Sequence, residues 1–163
     1  MTKHQAARPL GCRSCCIDRT GKRPKAAFEW ESLEHYSEAE YANALEGYPL
    51  PVLQRAYASF TDKLNRATSG ELSFGDGHRF DVTHIRATQD ILELKWANNP
   101  PQAKGRTMLW LRIYFTEPAR APRLLLKIRM QLKGVDDKNV QTQIALDAQR
   151  DFDAWIESQQ SGK

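Results

Sequence analysis

WLRIYF, Trp110–Phe115, reads as a β-strand with a cation at its centre. Trp, Ile, Tyr and Phe all suit a pleated, half-buried backbone. Side chains two apart share a face. Trp110, Arg112 and Tyr114 therefore fall on one side, and Leu111, Ile113 and Phe115 on the other. Two further stretches share this grammar: LELKW, Leu92–Trp96, and LLLKIRM, Leu124–Met130. In the first, Ile91, Glu93 and Lys95 oppose Leu92, Leu94 and Trp96. In the second, Leu125, Lys127 and Arg129 oppose Leu124, Leu126, Ile128 and Met130. Each strand is expected to have a clean apolar face and a face carrying cations. Aligned in a sheet, those cations predict a basic, partly aromatic surface aimed away from the core.

Outward from these strands the chain divides readily. RFDVTHI (79–85) alternates as a half-buried strand, and Pro-bearing links separate the three strands that follow: NNPPQAKGR (98–106) and TEPARAP (116–122). Upstream, AAFEWESL (26–33) is strand-like. Ser37 and Glu40 fit a capping box, with Tyr36 and Tyr41 placed as a hydrophobic staple, so a short helix is predicted to run to about Glu46 and stop at Gly47. In residues 50–67, Leu53, Tyr57, Phe60, Leu64 and Ala67 recur at helical spacing. After the strands, Val140, Ile144, Ala148, Phe152 and Trp155 share a helical face behind a candidate N-cap at Asn139. The order is strand, helix, helix, three or four strands, helix. Consecutive strands with short links pair antiparallel, and the fold class is α+β. One sheet face is expected to pack on the 50–67 helix, and the other to be exposed or partly covered by the C-terminal helix.

The chain of 163 residues suits one domain. Residues 1–25 are expected to be a basic flexible tail, 26–158 the domain and 159–163 a flexible C-terminus. Charge is unevenly spread. Residues 1–25 hold seven Lys or Arg and one acid, Asp18; residues 26–54 hold six Glu and no Lys or Arg. From His78 to Lys133 there are eleven Lys or Arg against four acids. The net charge of +4 hides a bipolar molecule. No apolar run is long enough to span a bilayer and no secretory h-region is visible, so the expectation is a cytoplasmic protein with no membrane partner. Cys12, Cys15 and Cys16 form one cluster, which is no disulfide framework and lacks the four ligands of a zinc site. No metal and no cofactor are expected.

A solvated sheet face accommodates Lys and Arg without any function. The alternative is a groove for polyanions, with cations for phosphate and a ring for a base. The element order, ILELKW, WLRIYF, and LLLKIRMQLKG running into the last helix together resemble the RelE/ParE toxin superfamily, most closely its HigB-like, phage-derived branch. The resemblance covers roughly residues 26–157. It implies a RelE-like fold, with Lys95 at the basic position of the family's "ELR" motif and Arg112 and Tyr114 in its "RxxY" strand. It further implies a toxin of a toxin–antitoxin system, neutralised by an antitoxin protein and acting on mRNA at the ribosome. The endoribonuclease chemistry is attack of a 2′-hydroxyl on the adjacent phosphate. That chemistry needs a base, cations for the developing charge and an acid for the leaving oxygen. By resemblance, Lys95, Arg112, Lys127 and Arg129 hold phosphate and stabilise the transition state, and Tyr114 stacks or moves a proton. Arg86, Trp110 and Lys133 contact RNA. No strong base is identified: His78 and His84 come early, and Asp136 and Asp137 read as turn residues. Two alternatives remain open. One is a non-enzymatic ParE-like or inactive member binding a protein such as DNA gyrase, and the other a basic nucleic-acid-binding module.

Overall fold

The computed structural model describes residues 15–17, 27–77, 79–98, 109–133 and 138–162. In chain order the elements are β1 (Glu29–Ser32), α1 (Ala39–Ala44), α2 (Leu50–Thr68), β2 (Val82–His84), β3 (Leu92–Asn98), β4 (Leu109–Thr116), β5 (Leu124–Lys133) and α3 (Lys138–Ser161). The class is α+β. The sheet has five strands, not three or four, in the order β1-β5-β4-β3-β2. The four later strands pair antiparallel, as short connections favour. The extra strand is β1, which joins the far edge parallel to β5, Trp30 opposite Leu125. A parallel neighbour so distant in sequence leaves no local turn signal, which is why strand patterning alone missed the pairing.

Each sheet face carries its own core. On one, α1 and α2 cover Leu92, Leu94, Trp96, Leu111, Ile113, Phe115 and Leu125. Aromatic edges organise that side: Tyr41, Phe60 and Trp96 meet pairwise at 5.3–6.0 Å between centroids. Trp30 meets Phe115 at 5.2 Å, and its indole N–H donates to the Leu64 carbonyl. On the other face, α3 lays Ala145, Ala148, Phe152 and Ile156 on Ile91, Tyr114, Leu126 and Ile128. The two alanines on this stripe let the helix backbone approach the sheet closely.

Local departures from the sequence reading have physical causes. The capping box of α1 does not form: Glu38 stands at the N-cap without a side-chain cap bond, while the Ser37 hydroxyl accepts from the Ala39 N–H. Gly47, at φ +83°, makes the left-handed turn between α1 and α2. The buried stripe of α2 runs through Val52, Ala56, Phe60 and Ala67, rotated from the expected one, so Tyr57 is exposed. On α3, Val140 is likewise exposed and Ala145 and Ile156 are buried. That helix continues to Ser161, through most of the expected flexible C-terminus. Cys15, Cys16 and Ile17, assigned by sequence to a flexible tail, are instead built onto the domain. Cys15 and Cys16 are buried and Cys16 bridges Leu72. The rest of residues 1–25, and the 99–106 part of the β3–β4 link, lie outside the described residues.

Candidate functional site

Parity along β4 places Arg112 and Tyr114 on the α3 side, as the sequence predicts. Lys95 faces Arg112 in the β3–β4 register, and Tyr114 faces both Glu93 and Arg129. The structure therefore brings Lys95, Arg112, Tyr114 and Arg129 onto one face. It does not expose them as an open basic surface. Lys95, Arg112 and Tyr114 are 8%, 5% and 0% exposed. For Arg112 and Tyr114 the reason is α3, whose apolar stripe packs on Ile91, Leu126 and Ile128 of the cationic side of the sheet; Lys95 is held instead by Gly77 and Thr83.

Once buried, these groups must satisfy one another. Arg112 Nη1 donates to Glu93 Oε1, forming an ion pair in which both side chains are almost fully enclosed. Gln141, from the first turn of α3, donates its amide to the other oxygen of Glu93. The Tyr114 hydroxyl donates to Gln131 Oε1 at 2.7 Å. Burial pushes the Tyr114 phenol well above its ordinary range, with Arg112 opposing. Burial pulls the Arg112 guanidinium down, and the paired carboxylate is the compensation that keeps the charge tolerable. Arg112 Nε has no hydrogen-bond partner among the described residues. Lys95 turns toward β2, donating to the Gly77 carbonyl at 2.6 Å and the Thr83 hydroxyl at 2.8 Å. Burial lowers its pKa, and nearby Lys63 adds to that.

The remaining nominated residues scatter. Arg129 lies at the edge of α3, its Nε donating to Asp151 at 2.7 Å, and that bond raises its pKa. Lys127 is a correction: it lies on the opposite sheet face from Arg129. The register passes from Tyr114↔Arg129 to Phe115↔Lys127, so Ile128 is an extra residue in β5. A bulge of this kind breaks the alternation. Lys127 therefore points toward α1, over the rings of Tyr36 at 4.8 Å and Trp30 at 5.9 Å, with Glu38 at 3.9 Å. Burial lowers its pKa, while Glu38 acts the other way. Arg86 is exposed beyond β2 and pairs with Asp76 at 2.8 Å. Trp110 is half-buried at the start of the described β4 side chains. The Lys133 side chain, His78, Asp136 and Asp137 lie outside the described residues.

Sequence reasoning gave no role to Glu93, Gln131 or Gln141. Glu93 was legible as the lone acid on the cationic face; Gln131 and Gln141 carried no signal beyond being polar. Gln149 completes the cover: its side-chain oxygen accepts from the Gln89 and Asp90 N–H groups and its amide donates to Asp90. Chemically, Arg112 and Glu93 form a neutralised pair capped by Gln141 of α3, and Lys95 beside them is held by the Gly77 carbonyl and the Thr83 hydroxyl. Among the described residues no group of three or more His, Cys, Asp or Glu could hold a metal ion, and no helix is long and apolar enough to cross a membrane. No family model matches the chain, and no curated protein or solved structure is found to be similar to it.

Proposed function

We propose that this chain is a toxin-like module of RelE/ParE type that acts by binding a protein target rather than by cleaving RNA. The observation that carries this reading is the closed network beneath α3. Phosphoryl transfer needs cations free to meet developing charge and a base within reach of the attacking hydroxyl. Here Arg112 is spent on Glu93, Tyr114 on Gln131 and Lys95 on Gly77. The contact surface in this reading is the outward face of α3. Gln143, Leu146, Arg150, Asp153 and Glu157 recur on it at helical spacing and are all exposed. Val140 and Leu146 present apolar surface there, at 42% and 37% exposure. Acids outnumber cations along that face, which favours a protein bearing basic groups over a nucleic acid. A topoisomerase is the target of this class that the family resemblance names, and an antitoxin protein would be the neutralising partner.

A second reading keeps the ribosome-dependent endoribonuclease. What favours it is the juxtaposition of Lys95, Arg112, Tyr114 and Arg129 on one face. That reading requires α3 to lift away. The deciding experiment is inducible expression in a bacterial host, with primer extension on abundant mRNAs. Growth arrest with intact mRNA, relieved by Leu146→Asp, supports binding. Discrete, translation-dependent cuts overturn it in favour of the nuclease. Absence of arrest with a folded protein sinks both readings for that host.

A further inference from the structure

Outside the α3 site, one pair of thiol side chains is held in an unusual way. Cys15 and Cys16 are adjacent in sequence, 0% and 2% exposed, and their sulfurs approach to 3.4 Å. Both are thiols. Neighbouring side chains on an extended strand point to opposite faces; here the two sulfurs come together. The short segment that carries them straps onto the domain. Leu72 N–H donates to the Cys15 carbonyl and Ile17 N–H donates to the Leu72 carbonyl, each at 3.0 Å. The Cys15 N–H donates to the Glu117 carboxylate at 3.1 Å, a carboxylate itself only 3% exposed. The strap thus joins the segment just after α2 to the turn between β4 and β5.

We propose that Cys15 and Cys16 form a reversible modification site, closing to a disulfide between adjacent residues when the protein meets a low-molecular-weight disulfide such as oxidised glutathione. The chemistry balances by exchange. One cysteine, as thiolate, attacks a sulfur of the small disulfide, whose S–S bond breaks and releases one thiol. The second cysteine attacks the protein sulfur of that mixed disulfide, forms the Cys15–Cys16 bond and expels the second thiol. The two cysteine protons end on the two released thiols, so the protein loses two electrons and the small disulfide gains them.

The geometry also says what closure does. A disulfide requires its sulfurs at about 2.05 Å, so the pair must draw together from 3.4 Å. The ring that closes contains the Cys15 carbonyl and the Cys15–Cys16 peptide. That carbonyl is the acceptor for Leu72. Ring closure therefore strains the strap at its attachment, and oxidation loosens residues 15–17 from the domain. Burial makes the first exchange slow, since it waits for the strap to open; the neighbouring sulfur makes the second fast.

The test uses the full-length reduced protein incubated with oxidised glutathione, quenched in acid and read by intact-mass spectrometry with peptide mapping. The expected product has lost two hydrogens, carries no glutathione, and maps to Cys15–Cys16. It persists in Cys12→Ser and is absent from Cys15→Ser and Cys16→Ser, which stop at the mixed disulfide or stay reduced. If Cys12→Ser abolishes the product, the bond involves Cys12 and the proposal is overturned. It is equally overturned if folded wild type stays reduced under conditions that oxidise the chain in denaturant. Amide exchange supplies a second readout on Cys12→Ser, whose thiol pair is untouched. Oxidation should speed exchange at Leu72 N–H by up to about tenfold, the worth of one backbone hydrogen bond, and reduction should restore it. Unchanged protection at Leu72 would sink the claimed effect on the strap.

Discussion

Arg112 on β4 and Glu93 on β3 close on each other diagonally, because the register sets Lys95, not Glu93, opposite Arg112. Gln141 of α3 completes the carboxylate. A pair buried this deeply gains little over an apolar substitute, yet losing one partner strands a charge. Arg112→Met should therefore cost about 3–5 kcal/mol of stability. The double variant Glu93→Met/Arg112→Met should recover much of that loss. Urea unfolding midpoints of the two singles and the double measure the coupling. Simple addition of the single costs would show that the pair is not a structural lock.

The bulge at Ile128 puts Lys127 and Arg129 on opposite faces, so they should fail differently. Arg129→Ala removes the bond to Asp151 and should lower hydrogen-exchange protection in α3, at a cost of up to about 1 kcal/mol for a partly exposed pair. Lys127→Ala should leave α3 untouched and loosen the entry to α1 at Tyr36 and Glu38. Residue-resolved exchange on both variants separates these outcomes. Equal loss in α3 from the two variants would contradict the split.

Much of this was legible beforehand, and the failures have causes. The faces of β3 and β4 followed from alternation alone. Those of β5 did not, because Ile128 is apolar and fits either parity; nothing in LLLKIRM marks it as the extra residue. The cationic face was misjudged for another reason. Lys and Arg suggest water, but α2 and α3 each carry an apolar stripe, and one sheet has two faces to offer them. Counting stripes against faces would have placed Arg112 and Tyr114 under α3. The pairing of β1 with β5 had no comparable signal, since Trp30 and Leu125 are almost a hundred residues apart in the chain.

Acid should act through Asp81. Burial alone would raise its carboxyl, but hydrogen bonds from Lys63 and Ser73, with the Lys63 charge, bring it below the ordinary 3.8. Folded Asp81 thus holds its proton more weakly than unfolded Asp81. Its stabilising contribution is complete above 3.8 and is lost as pH falls through the lower, folded value. Asp81→Asn should destabilise the protein near neutrality and flatten the acid side of the stability profile. Thermal midpoints from about pH 6 to about pH 3 read both effects. An unchanged acid slope would place acid lability elsewhere.

Tyr114→Phe separates the two functional readings with the least disturbance. The ring stays in the cluster with Phe152 and Ile128, and only the hydroxyl that donates to Gln131 is lost. Gln131 is 6% exposed, so its oxygen is left short of a donor, at a cost of about 1–3 kcal/mol. If the buried face is architecture and the protein acts by binding, growth arrest should survive in proportion to folded protein. Leu146→Asp should then abolish arrest without altering stability, since that side chain faces outward. If the face is a nuclease centre that opens, Tyr114→Phe should remove mRNA cleavage while the protein remains folded and abundant. Expression level, unfolding midpoint and primer extension on the same two variants decide between them, because for Tyr114→Phe stability and activity move together in one case and apart in the other.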